Sequence, residues 1–169
     1  AMPDDDIVLS TMRQGWAMLE DSGYQHYEIS NFALPGFASR HNLAYWLSTD
    51  YVGLGLGASG YVGGRRWTNV DSMDAYEAAV LRKTFPFAFE ESLSGRRREG
   101  EYIMLRLRLP RMGLEFAAFA RRFNEDARTV FGSELARLAE EELILVSDER
   151  AVCTPKGLEL NNLVAEAFV

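Results

Sequence analysis

A chain of 169 residues with 47% hydrophobic side chains is long enough to bury a core, and it suits one domain or two small ones. Its net charge of −7 leaves no basic surplus for nucleic acid: residues 1–91 carry 6 basic and 12 acidic side chains, and residues 92–169 carry 12 and 13. No run reaches the roughly 18 apolar residues of a membrane span. The start is acidic where a secretory leader is basic, so a cytoplasmic protein is expected, with Ala1 ahead of Met2 read as an expression scar. The lone Cys153 excludes an internal disulfide and supplies too few thiolates for a cysteine-ligated cluster.

Asp4, Asp5 and Asp6 suit a helix N-terminus, whose dipole favours anions. Val8, Met12, Trp16 and Leu19 then recur at helical spacing up to a stop at Asp21-Ser22-Gly23. Tyr24 to Asn31 alternates as a strand, with Tyr27 and Ile29 on one face and His26, Glu28 and Ser30 on the other; a polar face of this kind needs water or a lined cavity. Leu34-Pro35-Gly36-Phe37 is turn chemistry, and Arg40 to Trp46 reads as a short helix. From Tyr51 to Ala58 glycines alternate with Val52, Leu54 and Leu56, which predicts a strand with one apolar and one bare face. A bare face marks close approach by another backbone or a ligand. Gly63-Gly64 joins Gly60-Tyr61-Val62 to Arg65-Arg66-Trp67-Thr68 as a hairpin, and Ser72 caps a helix whose Met73, Tyr76 and Val80 face inward.

Thr84 to Glu91 is irregular and aromatic, which predicts a linker packed down on a surface. The expected division is residues 1–85, a linker at 86–91, and residues 92–169. Beyond the linker the spacing predicts helices over about Arg96–Leu109, Glu115–Phe123 and Asp126–Glu142, the last breaking at Gly132. Phe116, Phe119 and Phe123 read as a core stripe. Leu143–Val146 and Ala151–Cys153 form a hairpin, with Cys153 a small core residue. Thr154 caps a final helix with Pro155 at its first position and Leu160, Leu163, Val164, Ala167 and Phe168 buried. Three helices, a β-wing and a packing helix make a winged-helix-like domain, and the whole is of α+β class.

Three motifs read together, in this order and spacing, resemble one family: Tyr27-Glu28-Ile29-Ser30-Asn31-Phe32-Ala33, His41-Asn42-Leu43-Ala44-Tyr45-Trp46, and Gly53-Leu54-Gly55-Leu56-Gly57-Ala58-Ser59. They resemble the late catalytic-domain motifs of oxygen-independent coproporphyrinogen III oxidase-like radical S-adenosylmethionine proteins, the HemW branch in particular. Arg66-Trp67-Thr68-Asn69-Val70 and Leu143–Leu160 are similar to the family's C-terminal domain, so the resemblance covers almost the whole chain. It implies that residues 1–85 are the end of a radical-SAM (β/α) barrel and residues 92–169 the domain that follows. It also implies a [4Fe-4S] cluster and S-adenosylmethionine in the complete protein, held by a CxxxCxxC motif that this chain lacks. The chain alone is therefore expected to hold no cofactor and to be inactive, with the missing N-terminal barrel portion as one partner. The family has two activities, oxidative decarboxylation of coproporphyrinogen III propionates by radical hydrogen abstraction and heme chaperoning. The Glu-Ile-Ser-Asn and His-Asn-Leu-Ala-Tyr-Trp sequences favour the second.

Against this background each candidate residue has two readings. His41 is either a heme contact, since neutral imidazole is a common axial ligand, or a helix-start histidine bonded to backbone. His26 reads as structural. Glu28 and Ser30, with Asn31 beside them, face either a lumen holding S-adenosylmethionine or a porphyrin, or solvent. Tyr45 and Trp46 either stack on a macrocycle or pack the barrel wall. Gly55, Gly57 and Ala58 favour backbone approach to S-adenosylmethionine over tight packing. Arg65 and Arg66 either pair with propionates or lie solvated on the hairpin, and Arg96-Arg97-Arg98 reads as a solvated helix start. Strand edges such as Tyr51–Ala58 in an incomplete barrel lack partners, for which a homodimer is the natural remedy.

Two other functions compete. A winged-helix DNA-binding module is disfavoured, because the helix expected in the groove, Ser133–Glu142, sets Arg137 against Glu134, Glu140, Glu141 and Glu142. A stand-alone heme-binding or interaction domain would need no cluster, and fold alone does not choose among these.

Overall fold

Asp4 caps the first helix of the computed structural model, which describes residues 4–169; the reading of Ala1 lies outside them. In α1 (Asp5–Asp21) the Asp4 carboxylate accepts from the Asp6 N–H, and Asp5 and Asp6 occupy the positive first turn. Met12, Trp16 and Leu19 are half-buried, but Val8 is exposed. Trp16 rests against His26, and Arg13 pairs at 2.6 Å with Glu159, far along the chain.

The strand expected from Tyr24 to Asn31 is a tight hairpin instead. β1 (Gln25–Glu28) turns back at once onto β2 (Asn31–Ala33). The Glu28 carboxylate makes the turn, accepting from the Ser30 N–H at 3.1 Å and from the Asn31 side-chain amide. α2 (Arg40–Trp46) follows, its N-terminus capped by the Ser39 hydroxyl.

The alternating glycine run is not a strand either. Tyr51 alone bridges to Tyr61, and the chain then turns through Gly55 and Gly57, both at positive φ. The cause is the buried Asn69, whose amide donates to the Gly55 carbonyl at 2.8 Å, while the Tyr76 hydroxyl accepts the Gly55 N–H at 3.2 Å. Glycine serves there for left-handed backbone, not for a bare strand face.

β3 (Ser59–Val62) and β4 (Arg65–Asn69) form the expected hairpin, with Gly63 and Gly64 at positive φ, and α3 (Met73–Leu81) starts at its Ser72 cap. Met73 and Val80 do not face inward; both are exposed, and Ala79 is buried. Residues expected as linker are a strand: β5 (Phe87–Ser92) pairs antiparallel with β4 along its length, giving the order β3-β4-β5. Backbone pairing, not surface packing alone, holds this segment down.

The second half follows the predicted order more closely. α4 (Gly95–Arg106), α5 (Phe116–Phe123), α6 (Ala127–Val130) and α7 (Gly132–Glu140) include the break expected at Gly132. β7 (Ile144–Val146) and β8 (Arg150–Cys153) form the wing, and a short β6 (Leu114–Glu115) completes a sheet of order β6-β8-β7. The final helix is broken at Leu160 into α8 (Pro155–Glu159) and α9 (Asn161–Glu166). The break rotates Leu160 and Leu163 outward, so only Val164 and Phe168 of the expected stripe are fully buried.

One apolar core results, built from Ile103, Leu107, Leu114, Phe119, Leu138, Ile144 and Val164, all from the second half. Each such side chain contributes about 1.5–3 kcal/mol on burial. The class is α+β, as expected, and among the described residues every named strand pair is antiparallel. In the first half the buried apolar side chains Tyr61 and Ala79 lie outside this core.

Candidate functional site

α2 sets an i, i+4 pair on one face, so His41 and Tyr45 meet. The exposed His41 ring lies edge-on to Tyr45 at 4.9 Å, with Nε2 3.1 Å from the tyrosine hydroxyl. Its partner is thus a side chain of the same motif. Tyr45 in turn meets Tyr51 edge to face at 4.6 Å, and the Tyr51–Tyr61 bridge continues the row. Beneath it is a cavity of about 330 Å³, whose wall includes Tyr45, Trp46, Ser48, Arg66, Glu101 and Met104.

This cavity is polar at fixed points. The Arg66 guanidinium donates to Glu101 at 2.9 Å and also pairs with Glu91. Burial raises the Glu101 carboxyl above its ordinary range in spite of Arg66, and burial followed by neighbouring Tyr45 raises the Tyr51 phenol. Ser48, only 7% exposed, holds left-handed backbone at φ 52°, and its hydroxyl has no partner among the described residues. Trp46 Nε1 also lacks one, and the Arg108 guanidinium lies 4.5 Å from the Trp46 ring centre.

The Glu-Ile-Ser-Asn motif sits elsewhere. Glu28 is 1% exposed and so is not a solvated face; Ser30 and Asn31 are exposed on the turn it anchors. Burial lowers the Arg108 guanidinium pKa, with the Glu28 charge opposing the shift. The Ile29 N–H donates to the Arg108 carbonyl at 3.1 Å, which ties this motif to the second half. His26 is buried, stacked on Phe32 at 4.2 Å, with Nε2 3.1 Å from the Ile29 carbonyl. That bond requires the proton on Nε2.

Gly55, Gly57 and Ala58 lie on the turn held by Asn69, with open space beyond the Cα atoms of Gly55 and Gly57. Close approach occurs at neighbouring glycines: a Cβ at Gly53 would overlap the Ser59 backbone, and one at Gly60 the Trp67 ring. Arg65 pairs with Glu90 at 2.5 Å, away from the cavity, whereas Arg66 lines it. Sequence reasoning missed Tyr51, Tyr61, Glu101, Met104 and Arg108. Arg108, a cation between Leu107 and Leu109, was the one signal available.

Cys153 does not fit an iron–sulfur ligand. Its thiol donates to the Leu107 carbonyl at 3.2 Å and is pushed up to about 11 by burial, so it stays protonated and enclosed. Among the described residues no group of three His, Cys, Asp or Glu side chains is placed to hold a metal ion, and no helix is long and apolar enough to cross a membrane.

Fold and site together define a class: a winged-helix unit with appended helices, docked on short strands and turns that carry the motif residues. Residues 94–160 match the family described as HemN C-terminal domain. The heme chaperone HemW of Lactococcus lactis is 37% identical over 169 residues, covering 99% of this chain and 44% of the relative. HemW of Bacillus subtilis is 36% identical over 164 residues, covering 97% of this chain and 41% of that protein. The solved structure of coproporphyrinogen III oxidase (HemN) from Escherichia coli, a radical SAM enzyme, superposes with a TM-score of 0.74 over 98% of this chain and 42% of its own, at 20% identity. The chain belongs to the HemN/HemW family of coproporphyrinogen III oxidase-like radical S-adenosylmethionine proteins and corresponds to its C-terminal part. It spans less than half the length of these relatives.

Proposed function

We propose that this chain is the C-terminal part of a cytoplasmic heme chaperone of HemW type, and that His41 is its heme contact. The observation that carries the reading is an exposed imidazole joined through Tyr45 to a tyrosine-lined cavity. Neutral imidazole ligates heme iron through whichever ring nitrogen has a free lone pair. The Tyr45 hydroxyl orients the His41 ring, and the row of Tyr45, Tyr51 and Tyr61 offers aromatic surface to a flat macrocycle. Relatives named as heme chaperones at 36–37% identity support the same reading.

In the complete protein the [4Fe-4S] cluster would rest on cysteines outside this chain, and S-adenosylmethionine would approach the open side of Gly55, Gly57 and Ala58. Ser30 and Asn31 are exposed on the Glu28 turn, where Ser30 lies beside Arg108 and Asn161 and not beside the Gly55 turn. The likeness to the Escherichia coli oxidase is one of fold.

The test is a heme titration of wild type, His41→Ala and His26→Phe, followed by absorbance. His41→Ala is expected to weaken binding and shift the Soret band together, while His26→Phe, which keeps the stack on Phe32, leaves the spectrum as in wild type. Equal spectra and affinities for wild type and His41→Ala would falsify the ligand assignment.

A further inference from the structure

α4 and α5 gather three arginines around one aromatic pair. Arg98, Tyr102 and Arg106 recur at i, i+4 and i+8 on α4, and Arg122 comes from α5. The guanidinium carbon of Arg106 lies 4.8 Å from the Tyr102 ring centre and that of Arg122 lies 5.3 Å from it. Arg98 lies 5.9 Å from the ring of Phe123, which meets Tyr102 edge to face at 5.4 Å. Contact with rings satisfies the flat faces of guanidinium groups and leaves their N–H donors in need of acceptors.

Those acceptors are missing. Among the described residues none of the three has a carboxylate within 4.0 Å, although neighbouring Arg66, Arg96 and Arg97 are all paired with glutamates. Their one side-chain hydrogen bond to protein runs from Arg122 to the Ser48 carbonyl at 3.1 Å, and the Nε atoms of Arg98 and Arg106 are buried without a partner. Three arginines gathered on one aromatic pair without a carboxylate partner, in a chain of net charge −7, favour an anion at this place.

The cluster adjoins the tyrosine cavity. Ser48 holds Arg122 through its carbonyl and lines the cavity with its residue, and Met104 and Leu105, just before Arg106, line it from α4. We propose that Arg98, Arg106 and Arg122 bind the carboxylate arms of a tetrapyrrole whose flat body lies over that cavity. This rests on the heme reading above and adds to it the recognition of the ligand's acidic edge. A planar guanidinium fork matches a carboxylate with two parallel hydrogen bonds, which a lysine does not. His41 addresses the metal and the arginines address the acid groups, so the two contributions separate experimentally.

The test titrates the full chain with hemin and with hemin dimethyl ester, which keeps the macrocycle and iron but removes the charges. Wild type is expected to bind the diacid about tenfold or more tightly than the diester. Arg106→Gln/Arg122→Gln is expected to bring the diacid down to the diester's affinity and leave the Soret position of bound heme unchanged. Excess inorganic phosphate is expected to leave the preference in place; its loss would mark a general anion site and overturn the proposal. Equal binding of diacid and diester by wild type, with the spectrum still dependent on His41, overturns this inference alone. Binding of neither probe overturns the heme reading and this inference with it.

Discussion

Glu28 shows what a single buried carboxylate does when it accepts from two donors of its own turn. Its loss removes the acceptor that the Ser30 N–H and the Asn31 amide share within the turn, and the charge facing Arg108. Glu28→Ala is therefore expected to cost about 2 kcal/mol, read as a lower denaturant midpoint at unchanged slope. Cys153 gives a second expectation. A thiol held up at about 11 is protonated at pH 8 and becomes a nucleophilic thiolate only as pH rises through that value. Native protein should resist iodoacetamide at pH 8 and take up one equivalent once unfolded; rapid labelling of native protein would contradict the burial. At this scale helical spacing alone brings His41 to Tyr45, whereas Trp46, one residue further round α2, meets Arg108 instead. The surroundings of Glu28 are not legible in this way, since alternation counted from Tyr24 assumes a strand that continues past residue 28. Arg66 faces the cavity because of Glu101, a partner 35 residues away that no local pattern reveals.

The elements were legible where a local chemical signal marks them. Asp4, Ser72 and Thr154 cap helices through their own side chains, and Gly63-Gly64 makes its hairpin. The glycine run fails as a strand because Asn69, distant in sequence, supplies the bonds that fold it into a turn. β6 has only two residues and so carries no period, and the aromatic alternation of β5 suits surface packing as well as a strand. Gly100 is a signal of close packing, since a glycine inside a helix costs up to about 1 kcal/mol and needs a packing reason. That reason is α4 lying against the end of α9, where a Cβ at Gly100 would overlap the Phe168 carbonyl. Gly100→Ala is expected to lower stability by about 2–3 kcal/mol. Gly132→Ala, at the start of α7 with open space around it and no positive φ, is expected to gain about 0.5 kcal/mol. Thermal melts of the two variants should therefore move in opposite directions.

For the molecule as a whole, the unequal distribution of apolar side chains matters most. The core belongs to the second half, while Leu54 and Leu81, each 83% exposed, and Phe85 at 77% leave apolar surface on the first. Such surface favours self-association, though not through a Tyr51–Ala58 strand edge, since that segment is a turn. We expect the chain to bind a hydrophobic dye and to sediment as a larger species with rising concentration. Leu54→Asp/Leu81→Asp should reduce both effects with little change in the thermal midpoint; a wild type that stays monomeric and dye-free removes the expectation.

Arg108 joins these halves at two points, its carbonyl receiving the Ile29 N–H and its guanidinium covering Trp46, while Asn161 of the second half holds the same guanidinium at 3.3 Å. Two motif segments are thus gauged from one residue of the winged-helix unit. In evolutionary terms they form a single unit of inheritance. A recombination that joined residues 4–92 to a foreign winged helix would displace the Ile29 turn and the Trp46 helix together, unless an arginine arrived at the same place.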